Sequence, residues 1–165
     1  MPPVVLRDIV TDDDRSAVLA VRRRPGQERF VGSVEDSFAD AIEDAHAMPR
    51  MWSVHDAGTG GVVGFAMISD GIPAETLASR DVIGPYYLWR LLIDAGQQGK
   101  GYGAATLDAI VDYLQGRPGA ETLFTSCGQG EGSPQPFYER YGFVPTGEIK
   151  WDEVVLRLDL HQEDR

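Results

Sequence analysis

Residues 91–103 read LLIDAGQQGKGYG, and this stretch is the most informative part of the chain. An apolar run leads into a glycine-rich turn, and the turn opens a strongly patterned helix. Gly99, Gly101 and Gly103 tolerate a positive φ or the close approach of another group. The free N–H groups at the start of the helix point outward at the positive end of its dipole. The stretch therefore predicts a strand, an anion-binding turn and a helix, with a phosphate or pyrophosphate as the bound group.

Two common nucleotide motifs do not fit the spacing of these glycines. A Walker loop needs Ser or Thr directly after its lysine, whereas Lys100 is followed by Gly101. A Rossmann fingerprint needs a third glycine, and the residues after Gly103 do not supply one at the required position. The pattern that remains is Q-x-x-G-x-G, at Gln98, Gly101 and Gly103.

This pattern resembles the pyrophosphate loop of the GCN5-related N-acetyltransferases, which hold acetyl-coenzyme A. A second stretch, FYERYGF at residues 137–143, is similar to the F-Y-x-x-x-G-F motif of the same family. The resemblance implies acetyl-coenzyme A as the cosubstrate. It also implies that the end of the strand, the loop, the helix start and two later residues bind the coenzyme: Leu91, Leu92, Ile93, Gln98, Gly99, Lys100, Gly101, Tyr102, Gly103, Ala104, Ser133 and Tyr138.

Tyr138 lies in the second motif, and the resemblance implies that it protonates the coenzyme thiolate as this group leaves. A phenol with a pKa of about 10 suits a thiol with a pKa of about 8.5. Cys127 is the candidate nucleophile of a covalent alternative, but no histidine is near it in the sequence. A small buried cysteine is the favoured interpretation, so we expect direct transfer to an amine.

The composition predicts one globular domain, over residues 1–160, with a short tail at residues 161–165. The net charge of −11 disfavours nucleic acid and anionic membranes as partners and is compatible with a cationic substrate. The single cysteine and three histidines form no metal-ligand spacing, so no metal is expected. No signal peptide or membrane-spanning run is apparent, which predicts a cytoplasmic protein.

Apolar periodicity and turn residues predict an α+β fold in α/β/α layers, with a mixed, mostly antiparallel sheet of about seven strands and four helices. The predicted strands are 4–9, 51–55, 62–68, 86–93, 121–127, 143–149 and 153–160. The predicted helices are 11–22, one that starts at Ser33 or Ser37, 101–114 and 136–141. Residues 69–80, which contain Gly71 and Pro73, are predicted as a loop. The same order of elements occurs in the acetyltransferase family, many members of which dimerise, so a homodimer is possible.

The general base stays open at this stage. Some members of the family carry a carboxylate on the fourth strand, and Tyr87 stands at the corresponding position. An ordered water or a carboxylate on a loop or strand end could serve instead. The candidate carboxylates are Glu75, Asp81, Glu131 and Glu148.

Three segments, at residues 27–31, 85–90 and 130–134, resemble the spermine/spermidine acetyltransferase branch of the family. The resemblance implies a polyamine or another small diamine as acceptor, bound by carboxylates and aromatic faces. The candidate substrate residues are Glu28, Trp52, Glu75, Tyr87 and Glu148, from a wider set that includes Glu153. An aminoglycoside, a protein N-terminus or lysine, and a non-catalytic coenzyme-binding sensor domain remain as alternatives.

Overall fold

Seven strands form one sheet in a computed structural model that describes residues 2–161. The strands are β1 (Val4–Asp8), β2 (Pro49–Asp56), β3 (Val62–Asp70), β4 (Tyr86–Ile93), β5 (Thr122–Cys127), β6 (Val144–Lys150) and β7 (Glu153–Asp159). Their order across the sheet is β1-β2-β3-β4-β5-β7-β6. All neighbours are antiparallel except β4 and β5, which are parallel. The predicted mixed sheet is confirmed.

Within residues 2–161 five α-helices accompany the sheet: α1 (Asp12–Val18), α2 (Val34–Glu43), α3 (Ala74–Ser79), α4 (Tyr102–Gln115) and α5 (Gln135–Tyr141). The prediction of residues 69–80 as a loop was wrong in part, because α3 lies within this segment and adds a short helix to the four predicted ones. Pro73 directly precedes this helix, where a missing N–H costs nothing, and six residues without Gly or Pro follow. Short 3₁₀ turns at Gln27–Arg29, Ala45–Ala47 and Ala95–Gln97 complete the regular structure of this part of the chain.

Helix α1 is shorter than the sequence predicts, because Arg22 is held by a distant loop. The Arg22 N–H donates to Asp94 Oδ1 at 3.0 Å, and the Arg22 carbonyl accepts from the Ala95 N–H at 2.8 Å. These bonds take the backbone groups that a longer helix would use. The chain after α1 is thereby tied to the turn that follows β4.

Residues of β3 alternate between the two faces of the sheet, and each face carries its own core. Phe65 and Met67 pack with residues of α1 and α2, whereas Ala66 and Ile68 pack with α4, and all four side chains are fully buried. The helices therefore cover both faces, and the predicted α/β/α layering is confirmed. The face of α4 toward the sheet is apolar and buried, with Leu107, Ile110 and Leu114 fully buried.

Strands β4 and β5 pair over a short distance and then separate. Their register contains two pairs, Tyr87 with Phe124 and Leu88 with Thr125. Next to this point β4 carries a bulge: Leu88 pairs with Ile68 and Arg90 pairs with Met67, so Trp89 is the additional residue. The backbone of β4 beyond Leu88 consequently faces a gap instead of β5.

The ends of the chain are only partly described. Strand β7 ends at Asp159, near the predicted domain boundary, whereas Met1 and residues 162–165, most of the predicted tail, lie outside the described residues. Strand β6 is an edge strand of the sheet. The pairing of two chains through their last strands stays a prediction.

Candidate functional site

A cavity of about 490 Å³, here called the larger cavity, lies between the diverging ends of β4 and β5. Most of the predicted coenzyme-binding set lines it: Leu91, Leu92, Ile93, Gln98, Gly99, Gly101, Tyr102, Gly103, Ala104 and Tyr138. Residues from the turn before α2 and from β5 complete the wall, among them Phe30, Val31, Thr125 and Ser126. The structure thus brings the loop, the end of β4 and the tyrosine motif to one place.

The start of α4 forms one end of the larger cavity. Gly101 is the N-cap residue with φ at 91°, a left-handed conformation that favours glycine, and no side chain caps the helix within the described chain. Gln98 fixes the loop, because its Nε2 donates to the Ile93 carbonyl at 2.9 Å and to Gln27 Oε1 at 3.0 Å. The first N–H groups of a fourteen-residue helix are therefore available to an anion.

Two members of the predicted set do not line the larger cavity. Lys100 is exposed, and its Nζ donates to Gln97 Oε1 at 3.1 Å. The Ser133 hydroxyl donates to the Gly128 carbonyl at 2.5 Å and accepts from the Gln135 N–H at 3.2 Å. Both side chains have partners within their own loops, so the structure places them beside the cavity rather than in its wall.

Tyr138 is a buried wall residue of the larger cavity. Its ring contacts Phe137 and Phe143 in edge-on geometry, each with a centroid distance of 5.4 Å. Burial raises the pKa of the phenol well above its ordinary value, and the nearby Cys127 thiol and Tyr87 phenol add to this shift. The hydroxyl therefore keeps its proton across the neutral range and is available as a donor.

Cys127 lies next to this group and is 1% exposed. Burial raises the pKa of its thiol, which disfavours the thiolate that a covalent mechanism needs. This environment matches the predicted small buried cysteine.

A second cavity, of about 340 Å³ and here called the smaller cavity, lies beside the first half of β4 and the start of β7. Its wall consists of Asp44, His46, Ala47, Ser69, Asp81, Val82, Ile83, Tyr87, Trp89, Arg90, Trp151 and Glu153. Trp89 and Arg90 belong to the walls of both cavities. The two spaces therefore meet at the bulge of β4.

The charges of the smaller cavity are only partly neutralised. Asp81 pairs with Lys150 at 2.7 Å, and Arg90 pairs with Asp40 at 2.7 Å. Asp44 and Glu153 form no ion pair with any residue of the described chain. Two carboxylates without a cationic partner thus face a cavity that also has aromatic walls.

A chain of hydrogen bonds connects the two cavities. The Tyr87 hydroxyl lies 2.6 Å from Ser126 Oγ, and Ser126 Oγ donates to Glu153 Oε1 at 2.7 Å. Ser126 lines the larger cavity, while Tyr87 and Glu153 line the smaller one. Burial raises the pKa of Tyr87 to about 12. Since the Ser126 hydrogen points to Glu153, Tyr87 is the donor in the other bond.

The predicted substrate residues do not come together. Tyr87 lines the smaller cavity, but Trp52 is 3% exposed and packs on Tyr113 with a ring-centroid distance of 5.1 Å. Its proposed place in a substrate site is corrected to the apolar core. The remaining members are exposed and line neither cavity: Glu28, Glu75 and Glu148.

Among the carboxylates considered as a base, one reaches a cavity. Asp81 lines the smaller cavity, but its carboxylate forms an ion pair with Lys150 and accepts a hydrogen bond from Trp151 Nε1 at 2.8 Å. Glu131 is exposed and lines neither cavity. Sequence reasoning missed the pairing of Ser126 with Glu153, since no local pattern indicates that the end of β5 meets the start of β7.

A separated parallel strand pair beside a glycine-capped helix, with a buried phenol in the gap, matches the arrangement that the resemblance to the acyl-coenzyme A-dependent transferases implies. The sequence model of the acetyltransferase (GNAT) domain family matches residues 49–145, and the chain belongs to this family. It is an acetyl-coenzyme A-dependent N-acetyltransferase, with acetyl-coenzyme A as its cosubstrate, as the sequence predicts.

Known proteins resemble the chain over nearly its whole length. The spermine/spermidine N(1)-acetyltransferase of Bacillus subtilis strain 168 is 29% identical over 152 residues, which cover 92% of this chain and 95% of the relative. The structure of AAC(6′)-Ib with paromomycin and acetyl-CoA matches with a TM-score of 0.71 at 21% identity, covering 95% of this chain and 93% of that one. Spermidine/spermine N-acetyltransferase SpeG from Vibrio cholerae matches with a TM-score of 0.58 at 16% identity, covering 96% and 93%. These structural matches support the fold.

Two further features concern residues 2–161 only. They contain no group of three or more His, Cys, Asp and Glu side chains placed to hold a metal ion. None of their helices has the length and apolar character needed to span a membrane.

Proposed function

We propose that this chain transfers the acetyl group of acetyl-coenzyme A directly to a primary amine of a small polycation of the polyamine class. The observation that carries the proposal is the smaller cavity, which joins the larger one at Trp89 and Arg90. It offers aromatic rings together with the carboxylates of Asp44 and Glu153, which have no cationic partner within residues 2–161. The name of the relative from Bacillus subtilis supports the same class of acceptor.

On the coenzyme side, the start of α4 suits the pyrophosphate. The left-handed turn at Gly101 aims N–H groups at the cavity, and their dipole favours an anion. The backbone of Leu91 to Ile93 borders the gap in which, by resemblance to the family, the pantetheine arm lies. The proposed role of Tyr138 is to give its proton to the coenzyme sulfur as the thioester breaks.

On the acceptor side, the chemistry of the wall favours a cation with apolar spacers. Carboxylates attract ammonium groups, and the rings of Tyr87, Trp89 and Trp151 provide faces for cation–π contacts and for methylene chains. Tyr87 and Trp151 lie 6.2 Å apart between ring centroids and form one side of the cavity. A polyamine presents ammonium groups separated by methylenes, which matches this alternation of charge and ring.

The test is an acceptor panel with purified protein and acetyl-coenzyme A, read by release of the coenzyme thiol. The panel contains spermine, spermidine, an aminoglycoside, a monoamine, and a peptide with a free N-terminus and a lysine. We expect kcat/KM for a polyamine to exceed that for every other acceptor by at least about tenfold, or about 1.4 kcal/mol of transition-state binding. A preference for the peptide would contradict the proposal and favour a protein acetyltransferase, and transfer to no acceptor would also overturn it.

A further inference from the structure

We propose that Ser126 and Glu153 carry away the proton that the acceptor amine loses, and that Tyr87 holds Ser126 in position. The inference rests on the proposed function, because it concerns an amine that approaches the thioester from the smaller cavity. It assigns the general base that the sequence leaves open.

The geometry provides a continuous route between the two cavities. Ser126 is a wall residue of the larger cavity, where the thioester is expected, and Glu153 is a wall residue of the smaller cavity. One hydrogen bond of 2.7 Å joins them. A proton can therefore leave the reacting nitrogen without passing through the coenzyme.

The hydrogen-bond inventory of Ser126 leaves room for the amine. A serine hydroxyl has one hydrogen and two acceptor positions. The hydrogen goes to Glu153, and one acceptor position receives the Tyr87 hydroxyl at 2.6 Å. The second acceptor position remains for an N–H of the substrate.

Tyr87 fixes the direction of this route. Burial raises the pKa of its phenol to about 12, so the hydroxyl stays protonated and donates to Ser126. A protonated Tyr87 does not compete with Glu153 as the proton acceptor. Its role is to orient the Ser126 oxygen, and we therefore describe it as a positioning residue.

Glu153 is better placed to accept the proton than the other carboxylates of the smaller cavity. Asp81 is held by Lys150 and Trp151, which reduces its basicity. Asp44 has no hydrogen bond to Ser126, whereas Glu153 does. Glu153 has no Lys, Arg or His partner within residues 2–161, so protonation of its carboxylate would break no ion pair.

The reaction step balances in protons and electrons. The lone pair of the neutral amine forms a bond to the thioester carbon, and the carbonyl π pair moves to oxygen. The nitrogen, now positive and strongly acidic, gives a proton to Ser126 Oγ while the Ser126 proton moves to Glu153 Oε1. The carbonyl re-forms, the C–S bond breaks, and the sulfur takes the proton of Tyr138. Exchange with solvent returns both Glu153 and Tyr138 to their starting states.

The experiment compares conservative variants at saturating acetyl-coenzyme A, with the best amine of the panel. Glu153→Gln keeps an oxygen that accepts the Ser126 hydrogen but cannot take up the proton. We expect kcat to fall about 100-fold in Glu153→Gln and in Ser126→Ala, with the Kd of coenzyme A within threefold of wild type. Ser126→Thr retains the hydroxyl and restores kcat to within about fivefold. Glu121→Gln, an exposed carboxylate before β5, is the matched control with wild-type kcat.

Tyr87→Phe tests the positioning role. It leaves Ser126 and Glu153 in place, so we expect kcat to fall by about tenfold without a rise in the KM of the amine. An unchanged kcat with a raised KM would show that Tyr87 binds the acceptor and does not position Ser126.

Two results overturn the proton route. One is a Glu153→Gln variant with wild-type kcat and only a raised KM of the amine, which would make Glu153 a cation-binding residue. The other is a Ser126→Thr variant as slow as Ser126→Ala, which would make Ser126 a packing residue. The proposed function is tested separately, with the wild-type protein. If the preferred acceptor is not a polyamine, the proposed function is refuted, while the variants still test the proton route with that acceptor. If no acceptor is acetylated, the proposed function and the proton route are both refuted.

Discussion

Replacement of Gly101 by valine tests directly the proposal that the start of α4 binds acetyl-coenzyme A. Gly101 lines the larger cavity with φ at 91°, and Gly119, between α4 and β5, has φ at 66° but lines neither cavity. A Cβ at Gly119 would meet no atom within 4 Å, so Gly119→Val is a matched control. Each substitution places a side chain in the left-handed region, at a cost of about 1–2 kcal/mol in folding stability.

The two variants should differ in coenzyme affinity, because only Gly101→Val adds bulk at the proposed pyrophosphate site. A hydrogen bond from an N–H group to a charged acceptor contributes about 1.5–3 kcal/mol. If the valine displaces the pyrophosphate from one or two N–H groups of α4, about 2–4 kcal/mol of binding is lost. This loss corresponds to a rise in Kd of about 30-fold to 1,000-fold.

Calorimetric titration of coenzyme A into wild type, Gly101→Val and Gly119→Val measures the effect. Urea unfolding of the same proteins should give similar losses of stability for the two variants, which separates strain from binding. The reasoning is refuted if Gly101→Val binds coenzyme A within threefold of wild type. An equal loss of affinity in Gly119→Val would refute it as well, because the effect would then arise from strain.

Three other residues give shorter tests. Tyr138→Phe removes the hydroxyl but keeps the ring contact with Phe143. We therefore expect kcat to fall by about 100-fold or more while the affinity for the coenzyme is unchanged. A fall in kcat of less than about twofold across the pH range would contradict the proton-donor role. Burial raises the pKa of Tyr87 to about 12 in the folded state, against about 10 in the unfolded chain. The folded state therefore keeps a proton that the unfolded chain loses, and this contribution to stability is complete below pH 10 and lost from about pH 10 to about pH 12. Between pH 10 and pH 12 the free energy of unfolding of Tyr87→Phe should therefore fall by about 2–3 kcal/mol less than that of wild type, as measured by unfolding curves. Equal losses of stability in the two proteins would contradict the raised pKa of Tyr87. Asp44→Asn should raise the KM of spermine by about fivefold at unchanged kcat, with a smaller effect for a monoamine, and an unchanged KM would remove Asp44 from the acceptor site.

The sequence predicted most of the wall of the larger cavity, because these residues are close together in the chain. Residues 91–104 run from the strand through the loop into the helix, so their spacing alone predicts which groups would face a bound anion. The separate tyrosine motif carries its own pattern around Tyr138. The motif could not show that Lys100 and Ser133 lie beside the larger cavity rather than in its wall, because a motif specifies positions, whereas the direction of each side chain depends on its neighbours in the loop.

The sequence predicted only Tyr87 of the substrate set in the wall of the proposed acceptor site, because the parts of this site come from distant segments. Asp44 follows α2, Tyr87 is the second residue of β4, Ser126 is the last but one of β5, and Glu153 begins β7. Their proximity depends on the order of strands in the sheet, in which β7 lies beside β5. In an acidic chain every carboxylate is a candidate from composition alone, so charge could not separate Glu153 from exposed residues such as Glu148.

The bulge at Trp89 explains why one strand serves both cavities. Leu88 and Leu92 are four residues apart and would share a face in a regular strand, yet Leu88 packs in the core beneath α4 and Leu92 in the core beneath α1 and α2. The additional residue shifts the register by one and so exchanges the faces of the strand. Tyr87, before the bulge, can therefore line the smaller cavity, while Leu91 and its successors line the larger one. Since a period-two pattern does not reveal a single inserted residue, the junction between the two cavities becomes visible only in the structure.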